Sequence, residues 1–257
     1  MNIIVCIKRV PQTAEAEVKI DSSAKDIQKD RLTFDMNESD TYALEEAVLL
    51  KEKHGGSITA ISAGDETANE VLRIALSKGA DAAIRIKAED FDELDGYKVS
   101  SLLKSAIGTL EYDLVLTGCI ATDDGASMVG ITLAEMLGIP HATFVVETDV
   151  NDTRINVNRE LEGGLLEHLD ISLPSLLTIQ TGLNEPRYAS LIAIRRAAKK
   201  EITQMGIDEI SEAELKINAT IEELFVPPVT KQAEIFAGSP AETSGQLTAV
   251  LKEKGLV

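Results

Sequence analysis

The chain of 257 residues is long enough for one large or two small domains, and its hydrophobic share of 44% suffices for a packed core. Its net charge of −18 argues against binding to nucleic acid, and no apolar run reaches the length of about 18 residues needed for membrane insertion as a helix. Two cysteines make no disulfide framework, and three widely spaced histidines indicate no metal site.

Strands and helices are predicted to alternate along the first 146 residues. Apolar runs predict strands at 2–8, 57–62, 81–86, 113–118 and 141–146. Segments with apolar residues at helical spacing predict helices at 37–53, 67–78, 97–110 and 125–137. This order predicts a doubly wound α/β fold with a mostly parallel sheet. The first run has no preceding basic region or cleavage site, as is typical of a strand, so we expect a cytoplasmic protein.

The remaining segments depart from this alternation. Residues 11–36 are predicted to form a long loop with a short strand at 18–20, and loops of that length are usually functional. Three strands without intervening helices, which indicate a β-meander, are predicted at 154–159, 164–171 and 174–179. Further helices are predicted at 191–200, 212–215 and 242–254, with an extended stretch at 229–240.

The end of the chain is predicted to form a separate arm. Pro227 and Pro228 interrupt regular structure, and the segment after them is too short to bury its own apolar residues. We therefore divide the chain into an α/β domain at 1–225 and a C-terminal arm at 226–257. The arm is expected to dock on this domain or on a partner.

Three strand ends carry residues suited to a ligand. In a doubly wound sheet, ligands bind at the carboxyl ends of the strands, here 6–8, 63–65 and 118–127. In the last of these, small residues are predicted to begin a helix whose free N–H groups favour a phosphate. Asp123 and Asp124 are suited to accept hydrogen bonds from ribose hydroxyls. The spacing equally allows Asp124 to be a simple helix cap.

The other reactive side chains have ordinary explanations. Cys6 in an apolar strand is more often a core residue than a reactive thiol. The basic cluster at 195–200 is either a solvated helix face or a docking surface. No set of residues has the spacing of a catalytic triad or a carboxylate pair. We therefore expect that the polypeptide itself catalyses no bond-making step.

Residues 158–191 resemble the signature of electron-transfer flavoprotein beta subunits. The resemblance lies in the ordered segments NRELEGG, LPSLLT and LNEPRYASL at 158–164, 173–178 and 183–191. Earlier segments are similar to the same family in the same order, at 5–10, 36–37, 43–47 and 75–81. The resemblance covers essentially the whole chain and implies an adenine-nucleotide alpha hydrolase-like fold.

The resemblance implies a heterodimer that carries electrons on FAD. The alpha subunit would hold most of the FAD, with this chain covering one side, and this chain would bury a structural AMP. In the electron-bifurcating branch of the family, a second FAD replaces the AMP. The residues that match the family's nucleotide site are Cys6, Asn37, Glu38, Ser39, Asp40, Ala63, Asp123, Asp124, Gly125, Ala126, Ser127, Met128, Val129, Gly130, Thr132 and Ala134.

The resemblance also implies a docking segment at 191–200. Leu191 is similar to the apolar anchor that inserts into acyl-CoA dehydrogenases, the flavoenzymes of fatty acid β-oxidation, and Arg195 and Arg196 would steer acidic partners. Electrons would then pass to a downstream quinone-linked oxidoreductase.

Two departures favour AMP over a second FAD. Bifurcating members of the family resemble one another at two segments, and the corresponding segments of this chain, 92–97 and 122–128, differ from them. We therefore expect simple one-electron shuttling, with the second FAD as the alternative. An adenosine-nucleotide-binding regulatory module is an alternative of another class, but it accounts only for residues 1–146.

Overall fold

The computed structural model describes residues 1–87, 95–206, 218–228 and 233–257. The strands are β1 (Asn2–Cys6), β2 (Arg9–Pro11), β3 (Phe34–Met36), β4 (Ser57–Gly64), β5 (Ala82–Lys87), β6 (Leu114–Gly118), β7 (His141–Asn151), β8 (Arg154–Leu161), β9 (Leu165–Ser172), β10 (Ser175–Ile179) and β11 (Thr203–Met205). The α-helices are α1 (Glu38–His54), α2 (Asn69–Lys78), α3 (Gly96–Ile107), α4 (Val129–Leu137), α5 (Leu191–Ala197) and α6 (Pro240–Glu253).

One large sheet organises the described residues, with the strand order β11-β5-β4-β1-β6-β10-β7-β8-β9. The strands from β11 to β7 are parallel, and β8 and β9 extend the sheet in antiparallel fashion. The predicted doubly wound, mostly parallel α/β fold is therefore confirmed. From β1 the chain builds outward through β4 to β5 and then returns to β6 on the other side of β1. The strand order thus reverses between β1 and β6.

The sheet is covered on both faces, which explains the continuous apolar runs of its central strands. Because side chains alternate along a strand, Ile3 and Val5 of β1 pack with one helical layer, made by α1 and α2. Ile4 and Cys6 pack with the other layer, made by α3 and α4. No helix of the described residues is both long and apolar enough to cross a bilayer.

The predicted meander is wrong in its third strand. β8 and β9 pair as predicted, but β10 does not continue them and instead lies between β6 and β7, parallel to both. The reason is burial: every residue of β10 is buried, as a central parallel strand requires, whereas β9 is mostly exposed.

Other differences are local. The strand predicted at 18–20 is absent except for a bridge between Ile20 and Ile27, and the loop is framed by the small antiparallel pair of β2 and β3. The edge strand β11 was not predicted. The helix predicted from residue 125 begins only at Val129. The helix predicted at 212–215 lies outside the described residues.

Candidate functional site

A cleft opens at the carboxyl ends of β1 and β6, where the strand order reverses. Its volume is about 920 Å³, which includes space open to solvent. The ends of β1, β4 and β6 form its floor, and the first turns of α1, α3 and α4 form its walls. This is the position at which doubly wound sheets bind ligands.

Asn37 and Asp40 fix the strand ends that form the floor. The Asp40 carboxylate accepts hydrogen bonds from the backbone N–H of Lys8 at 2.7 Å and of Gly118 at 3.0 Å, and so joins β1 to β6. The Asn37 side chain donates to the Ile120 carbonyl at 2.9 Å and accepts from the Thr122 N–H at 3.1 Å. Together they determine where the loop after β6 leaves the sheet.

The contact between Gly118 and Asp40 leaves no room for a larger side chain at Gly118, and burial disfavours the charge on Asp40. A Cβ on Gly118 would lie 2.3 Å from the Asp40 carboxylate, so only glycine allows the contact. Asp40 itself is buried, and burial raises the pKa of its carboxyl to about 6, even though the hydrogen bonds from Lys8, Asn37 and Gly118 act in the opposite direction.

The N-terminus of α4 opens into the cleft without a side-chain cap. Met128, Val129 and Gly130 line the cleft, and among the described residues no side-chain hydrogen bond caps the helix. A Cβ on Gly130 would lie 2.6 Å from the Thr178 methyl group, so glycine allows α4 to start close against β10. Free N–H groups and the helix dipole make this end suitable for a phosphate.

The loop before α4 differs from the predicted helical start. Gly125 and Ser127 have left-handed backbone conformations, with φ of 62° and 51°, which a helix cannot contain. Asp124 therefore does not cap α4, and its Oδ1 accepts instead from the Ala126 N–H at 2.9 Å within the loop. The alternative of Asp124 as a helix cap is wrong.

Lys8 projects from the end of β1 into the cleft and meets both aspartates. Its Nζ lies 2.7 Å from Asp123 Oδ1 and 2.9 Å from Asp124 Oδ2. Burial lowers the pKa of the Lys8 ammonium, but the two carboxylates outweigh this effect and hold the pKa above its ordinary value. The pKa of Asp124 is lowered, because hydrogen bonds from the Ala126 N–H and from Lys8 outweigh its burial.

Part of the cleft lining is apolar and consists of Cys6, Ile7, Ala63, Val99 and Leu103. Burial, and next the charge of Asp40, raise the pKa of the Cys6 thiol far above its usual range, so Cys6 is a packing residue and not a nucleophile. The cleft thus combines apolar lining residues with a helix N-terminus and a lysine.

The structure brings most of the predicted nucleotide-site residues together. Those that line the cleft are Cys6, Asn37, Asp40, Ala63, Asp124, Ala126, Ser127, Met128, Val129 and Gly130. Those that do not line it are Glu38, Ser39, Asp123, Gly125, Thr132 and Ala134. Ser39 is buried beneath it against Cys119, and Ala134 lies in the core. That they bind a nucleotide remains a prediction.

Lys8, Gly96 and Thr178 also line the cleft, although the sequence did not lead us to predict them as site residues. Lys8 stands at a strand end that had been singled out, so the signal for it was present. Gly96 could not have been found, because only the packing of α3 against α4 brings it to Met128, whose side chain lies 2.6 Å from the position of a Cβ on Gly96.

The predicted docking residues lie on α5, away from the cleft. Leu191 is 76% exposed, and Ile192 and Ile194 beside it are also exposed. Arg195 and Arg196 follow in the last turn. The helix is held by its other end, where Arg73 of α2 donates to the carbonyls of Ala197 and Lys200.

The segment before α5 is fixed to α1 by Arg187. Its Nε donates to Glu45 Oε1 at 2.9 Å, and its other nitrogens contact Glu52 at 2.6 and 3.1 Å. Glu45 is buried and Glu52 is exposed. This pairing holds the base of α5 in place, and the bonds to Glu52 and Glu45 raise the pKa of Arg187.

No cluster of metal ligands occurs among the residues that the structure describes.

Comparison with known proteins gives matches over the whole chain. The family described as Electron transfer flavoprotein domain matches residues 26–210. The chain is 40% identical to the electron transfer flavoprotein subunit beta of Bacillus subtilis (strain 168), with 100% of each chain covered. It is 31% identical to the subunit of the same name from Methylophilus methylotrophus, with 98% of each covered. It is 33% identical to the caffeyl-CoA reductase-Etf complex subunit CarD of Acetobacterium woodii, with 100% of each covered.

Proposed function

Because the chain belongs to the electron transfer flavoprotein family and is related over its full length to beta subunits, we propose that it is the small subunit of a two-subunit electron carrier. With an alpha subunit it would carry electrons on a shared FAD and bind AMP in the cleft between β1 and β6. The observation that supports this best is the cleft itself, whose lining combines apolar residues with a helix N-terminus and Lys8.

The residues of the cleft divide the work of binding. Asn37 and Asp40 hold the strand ends and the loop in position. Cys6 and Ala63 would provide the apolar surface for the base, and the backbone N–H groups at the start of α4 would donate hydrogen bonds to the phosphate. None of these groups is arranged to make or break a bond, which suits a structural ligand.

The shared FAD supplies the redox chemistry, and this chain would shield one side of it from water. The arm at 226–257 is proposed to dock on the alpha subunit. In support, residues 218, 219 and 224 are still hydrogen-bonded to the α/β domain, whereas α6 has no buried residue. An amphipathic helix that buries nothing on its own chain suits a partner's surface.

The proposed electron donors are acyl-CoA dehydrogenases of fatty acid β-oxidation, and the proposed electron acceptor is a quinone-linked oxidoreductase. We propose that the protein acts in the cytoplasm. The exposed apolar residues of α5, next to Arg195 and Arg196, support a docking role because an apolar anchor with a charged rim is typical of transient protein interfaces.

A second FAD in place of AMP is the alternative. It is favoured by the relative named as a subunit of a caffeyl-CoA reductase-Etf complex. The distinct loop at 122–128 favours AMP, and the other departure, at 92–97, lies largely outside the described residues. A regulatory adenosine-binding module is disfavoured, because the matches continue through residue 210 and beyond.

The test is co-expression with the alpha subunit followed by acid release of bound ligands and chromatography. A yellow complex that releases FAD and AMP in equal amounts is expected. Two equivalents of FAD and no AMP would replace the first proposal by the second. A colourless chain that forms no complex would contradict both.

A further inference from the structure

Lys8 is the one cation among the described residues that line the cleft. Its backbone is held on both sides, since its N–H donates to Asp40 and its carbonyl accepts from the Asn37 N–H at 2.9 Å. The side chain therefore starts from a fixed point and reaches toward the loop before α4. The inference that follows rests on the proposed nucleotide site.

The ammonium of Lys8 has one donor beyond the two that its described partners use. A lysine has three N–H donors and no acceptor. Two of them are used by Asp123 at 2.7 Å and by Asp124 at 2.9 Å. The third can serve a single ligand oxygen. Because the two carboxylates also direct the ammonium, a phosphate at the start of α4 would meet it in a defined orientation.

The local charge is negative despite the lysine. The ammonium of Lys8 is paired with the carboxylates of Asp123 and Asp124, so a phosphate that bonds to Lys8 lies close to both. The carboxylate of Asp40 also lines the cleft. The uncapped start of α4 adds only a partial positive charge. Each phosphate charge beyond those that Lys8 and the helix can balance is therefore repelled by Asp123 and Asp124.

We propose that Lys8 is the phosphate-binding cation of the cleft, and that Asp123 and Asp124 disfavour each phosphate charge beyond those of AMP, a monoester, or FAD, a pyrophosphate diester. ADP and ATP carry more phosphate charge and should therefore bind more weakly. The three residues thus select the ligand by its charge and not by its base.

The experiment compares nucleotide binding by matched variants. The heterodimer is freed of nucleotide by reversible denaturation, refolded with FAD, and titrated calorimetrically with adenosine, AMP, ADP and ATP in the presence of a chelator. The variants are Lys8→Gln, Lys8→Arg and Asp124→Asn. In Asp124→Asn the side-chain oxygen can still accept from the Ala126 N–H, so the loop is retained.

The control variant is Asp149→Asn. Asp149 forms an exposed ion pair with Lys53 at 3.0 Å and is not among the cleft residues. It changes the net charge of the protein as much as Asp124→Asn does. A comparison of the two separates a local effect on the phosphate from a general effect of charge.

We expect Lys8→Gln to weaken AMP binding about tenfold and to leave adenosine binding unchanged, because only the charge-assisted bond to phosphate is lost. Lys8→Arg should retain most of the AMP affinity. Asp124→Asn should raise the affinity for ADP relative to AMP about fivefold, and Asp149→Asn should not.

Equal losses for adenosine and AMP in Lys8→Gln would show that Lys8 only shapes the cleft and would overturn the inference. So would equal gains for ADP in Asp124→Asn and Asp149→Asn. A wild-type protein that binds neither adenosine nor AMP would refute the proposed nucleotide site itself, which is a distinct result.

Discussion

Three donors converge on the buried carboxylate of Asp40, and the cost of ionising it is the clearest electrostatic feature of the cleft. The Lys8 and Gly118 N–H groups and the Asn37 side chain all donate to it. These bonds favour the anion, but burial outweighs them and raises the pKa to about 6. Asp40 thus joins two strands at the price of a charge that is poorly solvated above that pH.

Asp40→Asn should therefore change how stability depends on pH. Because the pKa of Asp40 rises from 3.8 in the unfolded chain to about 6 in the folded protein, its contribution is present below 3.8 and is lost as the pH passes through about 6. Relative to wild type, the variant should gain up to about 3 kcal/mol between pH 4 and pH 7.

Urea unfolding of both proteins across this range measures the effect. Subtraction of the two curves removes the contribution of every other carboxylate, which the variant shares. A difference in unfolding free energy that does not vary with pH would contradict the expected titration of Asp40.

At the residue scale, the sequence allowed the prediction of positions but not of partners. Cys6, Ala63 and Asp124 were predictable because they follow apolar runs, and strand ends of a parallel sheet meet at one edge. That Lys8 contacts Asp123 and Asp124, more than a hundred positions later, depends on β1 and β6 being neighbours, and strand order is not encoded in local periodicity.

At the scale of elements, errors occurred where two patterns competed. The run at 125–128 is small and polar enough to begin a helix, but left-handed residues at Gly125 and Ser127 turn the chain and delay α4 to Val129. All five residues of β10 are buried, as in a central parallel strand. Because β10 directly follows β9 in the sequence, we predicted that the two strands pair.

The link between α1 and the segment before α5 gives a prediction at this scale. Arg187→Met should lower the free energy of unfolding by about 2–4 kcal/mol, because it leaves the carboxylate of Glu45, only 4% exposed, without its ion-pair partner. Glu52→Gln is the matched control, and should cost less than about 1 kcal/mol because Glu52 is exposed.

Chemical denaturation measures both variants, and hydrogen exchange of the α5 amides reports whether the helix loosens. Equal effects of the two substitutions would show that the buried carboxylate is not what makes Arg187 important. A stable Arg187→Met variant with unaltered exchange in α5 would show that Arg187 is not needed to hold the helix.

At the scale of the whole molecule, the proposed function depends on surfaces that the chain leaves exposed. Leu191→Ala should slow reduction by an acyl-CoA dehydrogenase about tenfold and leave the flavin content unchanged, since the side chain is 76% exposed and supports no core contact. Leu49→Ala on α1, also at an exposed leucine, is the control. Stopped-flow reduction at equal flavin concentration measures both, and unchanged kinetics in Leu191→Ala would refute the docking role.

The C-terminal arm is likewise predicted to act at a surface, by docking on the alpha subunit. A chain that ends at Phe225 keeps the hydrogen bonds from residues 218, 219 and 224 to the α/β domain and loses α6, which has no buried residue. Its free energy of unfolding should therefore change by less than about 1 kcal/mol, while heterodimer formation with the alpha subunit should be lost.

A chain that ends at Glu253 is the control and should retain both properties. Urea denaturation measures the free energy of unfolding, and size-exclusion chromatography measures heterodimer formation. Marked destabilisation would mean that the arm packs on its own domain, and an intact heterodimer would mean that the α/β domain alone provides the interface.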